Sequence, residues 1–339
     1  MISVGTLLKE YLDNNKISQT EFAEMYNISK KHINEILSGK TCISLDTLML
    51  LSLITNNDIN VLLYFNEHKK ADDFLRSNFK NDKEIKEYLT SLNIYEMEKN
   101  NWIKLRHKED YATTLIDFKK KFHIDDINNF FSYTKKNYLY KEAGEKDLVK
   151  VALWIAHCNN LIEGLEVPKY DSKNLNKLFK ELEIERCKSF NKDSLIKLLN
   201  KYGIILVIEE PLKGTKVRGV THVKINTPVI YLNTYYKNLS SFYFALYHEL
   251  GHVKKHFNML KSKTVIHTDE VEDEVDIFAL DKMIPSNIYE YLNNNSNEVE
   301  SICNKNNIPV SFYYSRLAYE GKIKYTSKEY LEYNVKINL

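Results

Sequence analysis

His248 and His252 stand four residues apart with Glu249 beside the first, and this spacing constrains the chain more than any other feature. In a β-strand the two histidines would lie about 13 Å apart. On an α-helix they are one turn apart on one face, so that both imidazoles can meet a single ion. Neutral imidazole suits Zn²⁺. Glu249 would then sit beside the ion without binding it, where it can take a proton from a water and hand it to a leaving amine. The pentapeptide His248-Glu249-Leu250-Gly251-His252 is a weak signal taken alone, because a partly buried helix with two histidines looks the same. Its setting is more telling: short β-patterned segments precede it, and Phe242, Leu246 and Val253 give the helix an apolar side.

A catalytic zinc site needs three protein ligands and one open position. The metzincin continuation would put a third histidine at position 258, which is asparagine. His256, one turn beyond His252, reads as outer support or as solvent-facing. The next helix offers Glu270, Glu272 and Glu274, and periodicity does not choose among them. An acidic, solvated first turn is the plain alternative. A purely structural zinc site would need a fourth protein ligand, for which only His256 and this acidic run are at hand.

The segments before the motif read as strands: Gly203 to Ile208, Val217 to Val223, and Pro228 to Leu232, separated by Pro211, Gly214 and Asn226-Thr227. They suggest a small antiparallel sheet, with Pro228 to Leu232 as the edge where an extended peptide could add itself. Ser240 or Ser241 is the expected cap of the motif helix. At 339 residues, 43% hydrophobic and 28% charged, the chain fits two or three soluble domains. Cys42, Cys158, Cys187 and Cys303 are scattered, which argues against a disulfide framework and for a reducing, cytoplasmic setting. Neither a signal peptide nor a stretch long enough to span a membrane is evident. Net charge is +2, so nucleic-acid binding would have to come from a local patch.

The first 68 residues carry such a candidate. Ser18-Gln19-Thr20-Glu21 fits a capping box, Asn27-Ile28 makes a tight turn, and Ser29 can cap a second helix from Lys30 to Leu37. Ser44 can cap another through Leu45, Leu48 and Leu51. Two short helices joined so tightly suggest a helix-turn-helix. Its second helix would face outward with Lys30, Lys31 and Asn34, suited to phosphate, guanine and adenine edges, with Ile33, Ile36 and Leu37 inside. Gln19 could reach phosphate. Acidic residues outnumber lysines here and arginine is absent, which weakens any expectation of tight DNA binding. A small bundle with a solvated lysine face is the plain alternative. The expected division is 1–68, a helical connector at 69–145, and 146–339 with its core at about 200–290. The fold class is mainly α with a small β-sheet, α+β.

Two resemblances sharpen this reading. Leu7-Leu8-Lys9-Glu10-Tyr11-Leu12, Ile17 to Ala23, and Ile33 to Lys40 resemble the Xre-type helix-turn-helix family, closest to its HigA-like antitoxin branch. Val61 to Asn66 sits at that branch's closing helix. This resemblance implies operator DNA as partner, bound as a homodimer. Tyr247 to His252, Glu272 to Ala279, Met283-Ile284-Pro285, Arg218-Gly219-Val220, and Asn307 to Leu317 resemble the ImmA/IrrE family of zincin-like metallopeptidases over about residues 146–325. What this implies is Zn²⁺ held by His248, His252 and Glu274, with Glu249 as catalytic base and Asp276 orienting a histidine from outside. Val275 stands where that family usually has alanine. The implied activity is cleavage of a repressor or antitoxin-type protein in a stress, mobile-element or toxin–antitoxin circuit. The alternative is a non-proteolytic antitoxin or repressor whose zinc domain senses a signal or grips a protein partner. The intact Glu249 favours hydrolysis.

Overall fold

A serine opens each of the first four helices: Ser3 caps α1 (Val4–Asn15), Ser18 caps α2 (Gln19–Met25), Ser29 caps α3 (Lys30–Leu37) and Ser44 caps α4 (Leu45–Thr55). Each hydroxyl takes up a backbone N–H that the first turn would leave unpaired. Ser18 and Glu21 form a full capping box, the Ser18 N–H donating to Glu21 Oε2 at 2.8 Å. These details come from a computed structural model, which describes residues 3–124, 129–130, 132, 144–215, 217–234, 237–262 and 269–338. The chain divides into two units, Met1–Asp125 and Asp126–Leu339.

In the first unit, α2 and α3 are joined through Asn27, whose φ of 52° asparagine tolerates better than most residues. Phe22, Ile33, Ile36, Leu48 and Leu51 bury together with Leu8 and Leu12 of α1. The buried amide of Asn66 clamps the loop before α4, accepting from Ile43 N at 2.8 Å and donating to Ile43 O at 2.9 Å. Asn66 lies on α5 (Ile59–Asn78), which runs straight through the boundary expected at residue 68. Then come α6 (Asp82–Ser91), α7 (Ile94–Lys99) and α8 (Tyr111–Phe122). Helix α8 packs on α5: the Tyr64 hydroxyl lies 2.9 Å from Thr113 Oγ1, and His68 Nε2 lies 2.9 Å from Asp110, the cap of α8. Residues 69–124 are therefore part of the first unit and not a separate connector. Of the rest of that expected connector, residues 125–128, 131 and 133–143 lie outside the described residues.

The second unit begins with α9 (Gly144–Leu161), α10 (Leu175–Glu185) and α11 (Lys192–Lys201), followed by β1 (Ile205–Glu209), β2 (Gly219–Lys224) and β3 (Thr227–Asn233). The strand order is β1-β3-β2, with β1 parallel to β3 and β2 antiparallel to it. Two expectations are corrected here. The sheet is mixed, and the segment expected at the edge, Pro228 to Leu232, is its central strand. The reason is burial: β3 is buried at every position but its first, which requires a neighbour on both sides.

Helix α12 (Leu239–Lys255) carries the histidines. Its cap is Asn238, whose side chain accepts from Ser241 N at 2.9 Å, and neither Ser240 nor Ser241; Ser240 instead donates to Ser311 O at 3.0 Å. Then follow α13 (Phe257–Ser262), α14 (Asp269–Met283), α15 (Ser286–Asn294), α16 (Val299–Lys305), α17 (Val310–Tyr319) and α18 (Lys328–Tyr333). One core joins the inner sides of the sheet, α10, α11, α12 and α17. The buried Arg186 ties its far side, donating to Lys282 O at 2.7 Å and Asn307 O at 2.8 Å, and so anchors the end of α14. Helices dominate and the sheet is small: the fold is α+β.

Candidate metal centre

Helices α12 and α14 approach closely because Gly251 has no side chain. A Cβ there would fall 3.0 Å from Phe278 and 3.1 Å from Val275. The approach sets three ligand atoms facing one another. His248 Nε2 and His252 Nε2 are 3.2 Å apart, and Glu272 offers one oxygen 3.2 Å from the first and another 3.7 Å from the second. Donors on a tetrahedral zinc, each about 2.0–2.1 Å from the ion, are about 3.3 Å apart. Both oxygens of Glu272 are buried and have no hydrogen-bond partner among the described residues; they face only the two imidazoles. A buried carboxylate without donors is costly unless a cation meets it. Two imidazoles and a carboxylate whose donor atoms face one another are a donor set that fits zinc.

The carboxylate at this position is Glu272, which corrects the expectation of Glu274. The Glu274 side chain is 49% exposed against 10% for Glu272, and bonds Lys255 at 2.7 Å and His256 at 3.1 Å. Two residues along a helix is about 200° of turn, so the two glutamates cannot share a face. Glu272 and Asp276 are four apart and can, and Asp276 places its carboxylate 2.7 Å from His248 Nδ1.

Glu274 acts at a distance. Its Oε2 is 3.1 Å from His256 Nε2, and His256 Nδ1 is 3.1 Å from His252 Nδ1. If His252 Nε2 is to bind an ion, its proton sits on Nδ1 and points at His256. Nδ1 of His256 then accepts and its Nε2–H donates to Glu274. One set of neutral tautomers satisfies the whole line.

Glu249 is buried behind the histidines, and its Oε2 accepts from the Thr221 hydroxyl at 2.5 Å. Gly219, two residues earlier on β2, has no room for a side chain, because a Cβ would overlap the Glu249 carboxylate. Thr221 and Gly219 were not singled out from sequence, since no spacing rule links a strand to a helix nearly 30 residues on. Burial raises the Glu249 pKa to about 7, against the pull of His248 and Thr221. Burial alone would depress His248, yet the Asp276 carboxylate 2.7 Å from its Nδ1 and the Glu272 carboxylate beside its Nε2 lift it to about 10. These values describe the metal-free site; an ion would displace that proton.

In the first unit Gln19, Lys30, Lys31 and Asn34 are all exposed, with Lys30, Lys31 and Asn34 on the outer side of α3 and Ile33 and Ile36 beneath. Lys31 lies 3.9 Å from Glu35, which dilutes its charge. No described helix is long and apolar enough to cross a membrane.

Residues 8–62 match the helix-turn-helix family model, and residues 200–317 match that of the IrrE N-terminal-like domain, a metallopeptidase-like family. No curated protein and no solved structure matches the chain. The first match spans α2 and α3 and the second spans the sheet, α12 and α14, so the chain is a fusion of an Xre-like helix-turn-helix domain with an IrrE/ImmA-like peptidase domain.

Proposed function

We propose that the second unit is a zinc-dependent endopeptidase acting in the cytoplasm on a repressor- or antitoxin-type protein, in a stress, mobile-element or toxin–antitoxin circuit. The first unit takes it, as a homodimer, to operator DNA. The observation that carries the reading is the buried carboxylate of Glu272, without donors and aimed at two imidazoles one helical turn apart. Zinc bound there supplies Lewis acidity toward a carbonyl and acidifies a water. His248, His252 and Glu272 hold it, Asp276 and His256 orient the rings, and Glu249 moves the proton. β2, the outer strand of the described sheet beside Glu249, is the strand whose backbone would pair with an extended peptide. Asn34 and Lys30 are the side chains for bases, Lys31 and Gln19 for phosphate.

The test uses the full chain and its Glu249→Gln variant, with zinc measured by elemental analysis and proteins encoded beside the gene as substrates. The expected result is about one zinc in each, with cleavage of a neighbouring regulator by the wild type alone. If both hold zinc, neither cuts, and both bind promoter DNA or a neighbouring toxin equally, the domain is a sensor or grip and the non-proteolytic reading replaces this one.

A further inference from the structure

Helix α4 is apolar on two sides. Seven of its eleven residues are leucine, isoleucine or methionine. Leu48 and Leu51 bury in the core of the first unit with Phe22 and Ile33. The other side is uncovered: Leu45 is 57% exposed, Met49 52% and Leu53 83%. A helix that is apolar all round is ordinarily buried all round. The three exposed residues follow one another at every fourth position, so they form a single ridge along the helix.

Charge narrows what covers this ridge. From Thr41 to His68 the chain has no lysine and no arginine, and Asp46 is the only charged residue of α4. Such a surface has nothing to offer the phosphates of DNA. It also lacks the basic residues with which an amphipathic helix holds anionic lipid. A strongly charged protein face would find no counter-charge. What fits is an uncharged apolar ridge of matching shape, and the ridge itself is one. Met49 stands at its middle with a leucine four residues away on each side. A two-fold axis through Met49 lays the ridge on itself and sets Leu45 of one copy against Leu53 of the other, twice over, which is the self-complementary contact of a cyclic dimer. The two Asp46 residues then lie three positions to either side of the axis, about 9 Å apart along the helices and out of contact.

We propose that this ridge is the surface through which two copies of the chain associate, α4 against α4, antiparallel about Met49. The assignment rests on the homodimer reading and gives it a contact. Gln19, Lys30, Lys31 and Asn34 lie on α2 and α3, so the pairing uses none of the side chains expected at DNA. The ridge offers only a few hundred Å², against roughly 800 Å² per partner in a standard interface. The dimer is therefore a weak one that exchanges with monomer.

Sedimentation velocity of the full chain from about 1 µM to a few hundred µM, with and without a fragment of the gene's own promoter, reads the association. The wild type is expected to pass from monomer to dimer across that range. Leu53→Glu and Leu45→Lys should each raise the dimer dissociation constant at least about a hundredfold, because each buries two unpartnered charges per dimer. Both positions are exposed, so circular dichroism should show unchanged helix content, which separates lost association from lost fold. An equimolar mixture of the two variants should recover a dimer. There the introduced carboxylate meets the introduced ammonium on one side of the axis, and the unchanged leucines meet on the other. A wild-type dimer that both variants leave equally tight, or a mixture that stays monomeric, overturns this pairing while the homodimer reading stands. A wild type that is monomeric at every concentration, with DNA and without it, removes the homodimer reading and the ridge contact with it.

Discussion

At the scale of single residues, the sharpest distinction is between two glutamates two positions apart. Glu272 is buried against the imidazoles, while Glu274 is half exposed and reaches His252 only through His256. Removing the first takes away a ligand; removing the second loosens an orienting line. Glu272→Gln is expected to weaken zinc binding more than about a hundredfold, and Glu274→Gln no more than about tenfold, the lower range for outer partners of a metal-bound histidine. Competition against a fluorescent chelator measures both. A larger loss in Glu274→Gln would return the ligand to that position. The local chemistry was legible in advance for His248, Glu249 and His252, because four-residue spacing on a helix has one geometric meaning. It was not legible for Glu272 against Glu274, because that depends on which side of α14 meets α12.

At the scale of elements, the β2–β3 hairpin is the least settled. Its turn holds Ile225 at φ 62°, a left-handed conformation that costs a β-branched residue, and that side chain is 86% exposed and packs little. Two-residue hairpin turns with one positive φ at the first position prefer glycine there. Ile225→Gly is expected to stabilise the second unit by roughly 1 kcal/mol, a rise in melting temperature of about 2–4 °C for a unit of this size. A lower midpoint would mean that the exposed isoleucine makes contacts that outweigh the strain. The strands themselves were readable from apolar runs and turn residues. Their order was not, since an apolar run of five residues fits an edge or a centre equally until its neighbours are known.

At the scale of the whole molecule, stability should depend on acid through one charge cluster in particular. Burial would raise the Glu320 carboxyl, but Lys322, Tyr289 and Arg316 all bond it and hold its pKa down at about 2. A carboxyl depressed on folding stabilises the fold above its unfolded pKa, near 4.5, and that contribution fades as the pH falls toward 2. Melting temperatures followed from pH 5 to pH 2.5 should fall more steeply for the wild type than for Glu320→Gln. Parallel curves would show that the cluster adds nothing to folding.

The sequence alone determined the kinds of structure and chemistry available. Serine caps start the first four helices, the capping box and Asn27 shape the helix-turn-helix, and His248-Glu249-Leu250-Gly251-His252 sets two imidazoles one turn apart. Each rests on interactions within about a turn of chain, where spacing dictates geometry. Tertiary structure decided everything that needed two elements to meet. It put Glu272 at the site because Gly251 lets α14 press against α12. It brought Thr221 and Gly219 to Glu249 across the sheet, made β3 the central strand of the described sheet, and carried α5 past residue 68 into one unit with α8. These are long-range packing choices, fixed by which apolar faces bury each other, and no local spacing encodes them.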